Sequence, residues 1–298
     1  MGVVGMTMRK MIISAMVVFI AVSAGIACTA GIRSGMSDGI VIVVTPRGEV
    51  MEFQSEGVYQ YNPRWFAAEG IGWDIASIVI AIPALLISLF LFTKGSIRGG
   101  ITLAGLLAYF AYQYLMYVTG WAYNNLFLLY TALYSISIVA LIAVIQEIGV
   151  DNLAARMREG SPRKSLAGFM FFISAFLLFM WLGKIVPATT RGETPEMLNG
   201  AHTLIAQALD LGLLVPFGIA AGVLLLKRNA WGYLLASIGT VKLIMMAVAI
   251  VAMVVVRSII QRQSSWVEIA IFSAFAAVGT AFFVALLHSF DIGKPETR

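Results

Sequence analysis

The sequence predicts an all-α integral membrane protein with eight transmembrane helices and one small β-hairpin. Of its 298 residues, 60% are hydrophobic and only 12% are charged, whereas a soluble domain carries about 25% charged residues. The mean hydropathy is +0.91. A helix needs about 20 apolar residues to cross a bilayer. Eight segments meet this requirement, at 11–32, 71–93, 101–119, 126–147, 167–187, 202–226, 231–256 and 266–289.

Basic residues in the short loops predict the orientation of these helices. They cluster at 9–10, 163–164 and 227–228, which an eight-helix topology places on one side. Because cytoplasmic loops are enriched in Lys and Arg, we expect a multi-pass protein of the plasma membrane with both termini cytoplasmic. The net charge of +5 then reflects these loops. The expected partner is the lipid bilayer, and nucleic acid is excluded.

The first segment has a second interpretation, as a secretory signal. Arg9 and Lys10 precede an apolar run that ends near Cys28. The run is about 20 residues long, whereas the apolar region of a signal is usually 7–15. We therefore expect a retained helix. Cleavage would leave seven helices with the amino terminus outside.

A polar segment at 33–70 follows the first helix on the extracytoplasmic side. The β-branched run 39–45, the turn 46–49 and the stretch 50–62 predict two strands in a hairpin. An isolated hairpin is marginal in water, so this one must rest on the helices or on a partner. We expect it to be an outer cap, and it is also a candidate contact site for a partner protein.

The two halves of the chain show the same order of elements. We interpret residues 1–148, which include the hairpin segment 33–70, and 167–298 as two parallel four-helix repeats joined by a basic cytoplasmic linker at 149–166. The second helix of each half carries an aspartate and a proline, followed by a basic residue and a glycine. These are Asp74, Pro83, Lys94 and Gly99 in one half and Asp210, Pro216, Lys227 and Gly232 in the other. The alternative is that apolar helices resemble one another by composition alone.

Two charged residues, Asp210 and Lys242, lie deep in apolar segments. A charge at the bilayer centre costs about 2.5–3.5 kcal/mol on insertion scales. With a rise of 1.5 Å per residue, Asp210 lies about 12 Å and Lys242 about 13–14 Å below the outer boundary. Their equal depth on consecutive antiparallel helices predicts a buried ion pair.

Other polar residues fall at a similar depth. Gln113 and Tyr134 lie roughly 12 Å below the same boundary. Tyr109, Tyr112 and Gln113 share one helix face. Tyrosine hydroxyls need partners, so this face is expected to point into the bundle.

A second candidate ion pair joins Asp74 and Lys184, which both lie roughly 5 Å below the boundary. Pro83 and Pro216 are expected to kink their helices and to free backbone carbonyls. All six tryptophans lie near predicted helix ends, where an interfacial belt is expected; the alternative is ordinary packing in the core. They are Trp65, Trp73, Trp121, Trp181, Trp231 and Trp266.

No enzyme, metal or cofactor motif is recognisable in the sequence. The P-loop, the dinucleotide fingerprint and the HExxH pattern are missing. Cys28 is the single cysteine, and His202 and His288 lie near opposite faces, so we expect no enzymatic activity, no cofactor and no metal site. We predict a small transporter or permease for a small solute or ion, with a polar site around Asp210 and Lys242. The alternative is a non-catalytic sensor, scaffold or accessory subunit, in which this pair is structural.

Overall fold

A computed structural model describes residues 7–35, 39–158 and 161–290. Within these residues, eight helices are long and apolar enough to cross a membrane, which confirms the prediction of a multi-pass, all-α membrane protein. We call them spans 1 to 8. They comprise Met8–Ser34, Arg64–Thr93, Ile97–Gly120, Phe127–Ile148, Arg163–Arg191, Ile205–Leu226, Ala230–Gln261 and Trp266–His288. A short helix, Val150–Ala155, follows span 4, and a 3-10 turn, Glu196–Leu198, precedes span 6.

The predicted hairpin is confirmed. Strand β1 (Ile40–Val44) pairs antiparallel with strand β2 (Val50–Gln54), and the ladder ends at the pair Val44 and Val50. Span 2 begins at Arg64, earlier than the predicted start at position 71. The reason is Pro63 at the N-cap, because proline is tolerated at a helix start and leaves no N–H to satisfy.

The hairpin lies against the loops at one end of the bundle, which we call the hairpin end, with Met51 of β2 beside Gly200. Asn62 Oδ1 accepts a hydrogen bond from the Ala122 amide at 2.8 Å. Beside it, Trp65 at the start of span 2 donates its indole N–H to the Asn199 carbonyl at 3.1 Å. These bonds join the segment before span 2 to the loops that follow spans 3 and 5.

Spans 2 and 6 are each interrupted by one π-helical turn. The turns are Ser77–Ala81 and Asp210–Leu214, and Pro83 and Pro216 follow them near the start of the next α-helical stretch. A proline removes one backbone hydrogen bond and its ring clashes with the carbonyl four residues earlier. The π turn lies at that carbonyl, so the predicted irregularity at the two prolines takes the form of an extra residue in the preceding turn.

The connections from span 2 to span 3 and from span 6 to span 7 have the same geometry. Gly95 and Arg228 both have positive φ, at 83° and 56°. The next residues, Ser96 and Asn229, cap the following span with their side chains. Their own amides bond back to Leu91 and Leu224 at 3.0 and 2.9 Å. Both helix pairs are therefore tight hairpins of one type.

Spans 3 and 7 form the centre of the bundle. Span 7 packs against spans 2, 3, 6 and 8, and span 3 is the most buried span. Two glycines allow this close approach. A Cβ on Gly72 would lie 2.5 Å from the Met253 Cα, and one on Gly105 would lie 2.3 Å from the Val241 Cβ. Small residues at such contacts are the usual means of helix association in membranes.

The tryptophans do not form one interfacial belt. Trp266 and Trp231 are 74% and 48% exposed, as a belt requires. Trp73 and Trp121 are instead buried in the core, where their rings pack edge to face. Core packing applies to these two: the indole of Trp73 donates to the Tyr109 hydroxyl at 3.0 Å, and Trp121 stacks on Phe66 with 4.0 Å between the ring centroids.

Candidate functional site

A cavity of about 500 Å³ lies between the two halves of the chain, from the hairpin end to the middle of span 7. Spans 2, 3, 5, 6, 7 and 8 all contribute to its wall. At the hairpin end it is lined by exposed residues of the loop before span 6, including Glu196 and His202. At the other end its polar lining is Tyr112, Asp210 and Lys242.

Asp210 is the first residue of the π turn in span 6 and is partly buried. Its two oxygens accept hydrogen bonds from different spans. The Tyr112 hydroxyl donates to Oδ1 at 3.0 Å, and the Trp181 indole N–H donates to Oδ2 at 2.9 Å. Hydrogen bonds to a carboxylate are among the strong ones, so Asp210 ties span 6 to spans 3 and 5.

Lys242 is only 8% exposed, and its Nζ lies 3.7 Å from the centroid of the Tyr112 ring. This is a cation–π contact. The predicted direct ion pair with Asp210 is not formed. Tyr112 and Trp181 donate to the carboxylate oxygens, Lys242 lies over the tyrosine ring, and Tyr112 thereby bridges the two charges.

The predicted polar face of span 3 divides into two parts. Tyr112 lines the cavity, whereas Tyr109 and Gln113 are fully buried against span 2. Ser77 lies 2.9 Å from the Tyr109 hydroxyl and donates to Gln113 Oε1 at 2.9 Å. Tyr134 is half-buried in span 4 and is absent from the cavity wall. Of the six predicted site residues, the structure therefore brings three together.

Asp74 forms a separate and sealed cluster. It is 1% exposed and accepts hydrogen bonds from the Tyr59 and Tyr117 hydroxyls at 2.5 and 3.0 Å. A Cβ on Gly31 would lie 2.0 Å from Asp74 Oδ2, so span 1 closes the site from the remaining side. Tyr59 lies outside the spans. Burial and the nearby Asp74 raise its pKa well above the usual range, which keeps its hydroxyl a donor.

The second predicted ion pair is not formed, because Asp74 and Lys184 lie in different parts of the molecule. The partners of Asp74 are neutral hydroxyls from the first half. Lys184 is an exposed residue of span 5, with its Nζ 5.9 Å from the centroid of the Trp181 ring. The two residues share a predicted depth in the membrane, but their side chains do not face each other.

Three charged residues of the spans that line the cavity were not identified from the sequence as site residues. Arg257 of span 7 bonds to Glu69 of span 2 at 2.6 Å and to Glu268 of span 8 at 2.5 Å. The Glu69 side chain is 13% exposed and that of Arg257 is 21%. The available signal was one cation and two carboxylates, each within about one and a half turns of a span end at the same side of the membrane. Trp181 was also missed as a partner of Asp210.

Among the described residues, no group of His, Cys, Asp and Glu is placed to hold a metal ion. Comparison with known proteins finds no matching family, no matching curated protein and no matching solved structure. The interpretation of the site therefore depends on its own geometry.

Proposed function

We propose that this chain is a small transporter or permease and that the cavity is its substrate site. One observation supports this proposal above the others. A cavity of about 500 Å³ connects exposed residues at the hairpin end with Asp210 and Lys242, two charged residues within membrane-spanning helices. Small-molecule sites typically measure about 300–1,000 Å³ and combine apolar walls with a few polar groups. Ionisable residues inside a membrane bundle commonly mark a substrate or ion pathway.

The proposal includes two four-helix repeats as the framework of the transporter. It is supported by one constant interval of 133 residues, which separates Ser77 from Asp210 at the start of the two π turns. The same interval separates further equivalent features: Pro83 from Pro216, Gly95 from Arg228, Ser96 from Asn229, and Gly99 from Gly232. Membrane transporters are commonly built from internal repeats, with the substrate site at the interface between them.

This register changes the partner of Asp210 in the first half. Asp210 corresponds to Ser77, not to Asp74, and Lys242 corresponds to Tyr109. Ser77 and Tyr109 are joined by a neutral hydrogen bond of 2.9 Å in a closed core. The equivalent positions in the second half carry opposite charges and face the cavity. The substrate site is thus proposed to be a specialisation of the second repeat.

The proposed orientation has the cavity opening to the outside of the plasma membrane, with both termini cytoplasmic. Cysteine labelling in intact cells tests it. Arg47 in the hairpin turn and Ala155 in the short helix after span 4 are both exposed, and the native Cys28 is buried. We expect a membrane-impermeant maleimide to label Arg47→Cys from outside and Ala155→Cys only after permeabilisation. The reverse pattern would invert the topology.

Transport is tested with purified protein in proteoliposomes. The vesicles are exposed to a defined mixture of small organic solutes, and the lumenal contents are measured by mass spectrometry. At least one solute should accumulate faster than in protein-free vesicles, and Lys242→Met should abolish this uptake. Lys94→Met is the control, because Lys94 is exposed in the loop after span 2, remote from the cavity wall. Equal uptake by wild type and Lys242→Met would remove the cavity from the mechanism.

The alternative is a non-catalytic sensor, scaffold or accessory subunit, and one observation favours it. The hairpin exposes aliphatic side chains, with Ile42 at 70%, Val44 at 65% and Val50 at 71%. Exposed apolar patches commonly mark interaction sites. The scaffold function is supported over transport if two results are obtained together. No solute is taken up by the proteoliposomes, and Ile42→Ser and Val44→Ser each disrupt a complex that co-purifies with the wild-type protein.

A further inference from the structure

We infer that the ligand of the cavity carries a hydrogen-bond acceptor oxygen, either a carboxylate or a neutral carbonyl, on a largely apolar and aromatic body. This inference rests on the proposed use of the cavity as a binding site. It assigns Lys242 as the residue that receives the acceptor oxygen.

The first argument is that Lys242 has unused donors. An ammonium group has three N–H donors and no acceptor. Within the described part of the chain, Nζ lies over the Tyr112 ring. No protein oxygen accepts a hydrogen bond from it there, although the side chain is more than nine-tenths buried. Lys242 lines the cavity, so an acceptor oxygen that enters there can take these donors in a charge-assisted hydrogen bond.

The second argument is that Asp210 is already satisfied. Each of its oxygens accepts a hydrogen bond from a ring of the protein, Tyr112 on one side and Trp181 on the other. These donors hold the carboxylate in place and offset its charge. A cationic ligand would place a second positive charge beside Lys242, whereas an acceptor on Lys242 meets that charge and displaces no protein contact. The base of the cavity therefore selects for an acceptor.

The third argument concerns the stretch of wall between Lys242 and Arg257 on span 7 and the aromatic rings that line the same cavity, which are apolar. Spans 5 and 8 contribute aromatic rings and span 7 contributes aliphatic and thioether side chains. They include Phe176, Phe272, Phe275, Met246 and Ile250. Methionine and aromatic side chains adapt to flat apolar ligands. Polar groups along the body of a ligand would be unpaired against this stretch, so the body next to the acceptor oxygen is expected to be apolar.

Three probes with one body and different heads test the inference. They are 4-phenylbutyrate, the neutral ketone 5-phenylpentan-2-one and the cation 4-phenylbutylamine. Binding is measured by isothermal titration calorimetry on the full chain in lipid nanodiscs, with empty nanodiscs subtracted. We expect the acid, the ketone or both to bind at least about tenfold more tightly than the amine, which corresponds to one hydrogen bond to a charged group. The ranking of acid and ketone identifies the natural class of acceptor.

Variants then assign the effect to Lys242. Lys242→Met should weaken the preferred probe at least about tenfold, and Lys242→Arg, which keeps a cation with donors, should restore most of the affinity. Lys94→Met should bind like the wild type. Equal or tighter binding of the amine, no binding of either acceptor probe, or no effect of Lys242→Met in a folded protein would each overturn the inference.

The outcome is separable from that of the transport proposal. Binding of the acid or ketone without uptake into proteoliposomes would refute transport and leave the ligand class intact. Lys242-dependent uptake of a solute without an acceptor oxygen, together with no binding of either acceptor probe, would refute the ligand class and leave transport intact.

Discussion

The bridge through Tyr112 leads to a specific prediction about Asp210. The carboxylate accepts from Tyr112 at 3.0 Å and from Trp181 at 2.9 Å. In Asp210→Asn, the side chain keeps one acceptor oxygen and gains an NH₂ group, which is itself a donor. Trp181 can only donate, so it takes the Asn oxygen, and the Tyr112 hydroxyl, which then faces the NH₂ group, has no acceptor left for its proton. A buried donor left unsatisfied costs about 1–3 kcal/mol, and we expect the free energy of unfolding to fall by this amount.

The cost should depend on Tyr112. Tyr112→Phe removes the hydroxyl but leaves the ring beneath Lys242, whose Nζ lies 3.7 Å from the ring centroid. In this background the Asn oxygen can accept from Trp181, and no hydroxyl is left without a partner. Asp210→Asn should then cost less than it does in the wild type. We expect a coupling free energy of about 1–2 kcal/mol between the two substitutions, within the range found for residues in contact.

The assay is reversible chemical denaturation in detergent micelles, applied to the four proteins of the double-mutant cycle. Tyr134→Phe is the control background, because Tyr134 is half-buried and has no contact with Asp210. The costs of Tyr134→Phe and Asp210→Asn should add. Additive costs for Tyr112→Phe and Asp210→Asn would refute the bridge. Coupling of Asp210→Asn to Lys242→Met, with none to Tyr112→Phe, would instead restore a direct ion pair.

Two further predictions concern stability. Gly31→Ala should destabilise the protein by about 1–3 kcal/mol, because its Cβ would lie 2.0 Å from Asp74 Oδ2. Gly25→Ala in the same span is the control and should be tolerated, since its Cβ meets the nearest atom at 4.0 Å. Equal melting temperatures for the two variants would contradict the prediction. Arg257→Met leaves two carboxylates without their cation and should cost about 1–3 kcal/mol at low salt, whereas Lys184→Met should change stability by less than about 0.5 kcal/mol. If Arg257→Met costs no more stability than Lys184→Met, the ion pairs of Arg257 are solvated.

The spans could be predicted from sequence because length and hydropathy suffice to identify them. Depth within a span could also be calculated, since it depends only on the rise per residue. The direction in which a residue points around its helix axis depends on packing, and depth leaves it undetermined. Asp74 and Lys184 illustrate the difference, because they share a predicted depth but lie in separate environments.

The choice of partners could not be predicted for a related reason. Asp210 and Lys242 were expected to bind each other because they are the two opposite charges at one depth. A carboxylate also accepts hydrogen bonds from neutral donors, and in this structure Trp181 and Tyr112 provide them. The sequence contains many aromatic residues, 11% of the chain, so pattern alone does not indicate which two rings bind Asp210.

Asp74 and Asp210 show why charge inside the membrane does not by itself identify a functional site. Both accept two hydrogen bonds from aromatic side chains. Asp74 is closed on all sides, by Tyr59 and Tyr117 and by the backbone of Gly31. Asp210 lies in a cavity wall beside a cation that has no acceptor. A satisfied carboxylate in a closed core can hold helices together but has nothing left to offer a ligand. The difference that matters is thus the unused hydrogen-bonding capacity of Lys242, and this is where a ligand would act.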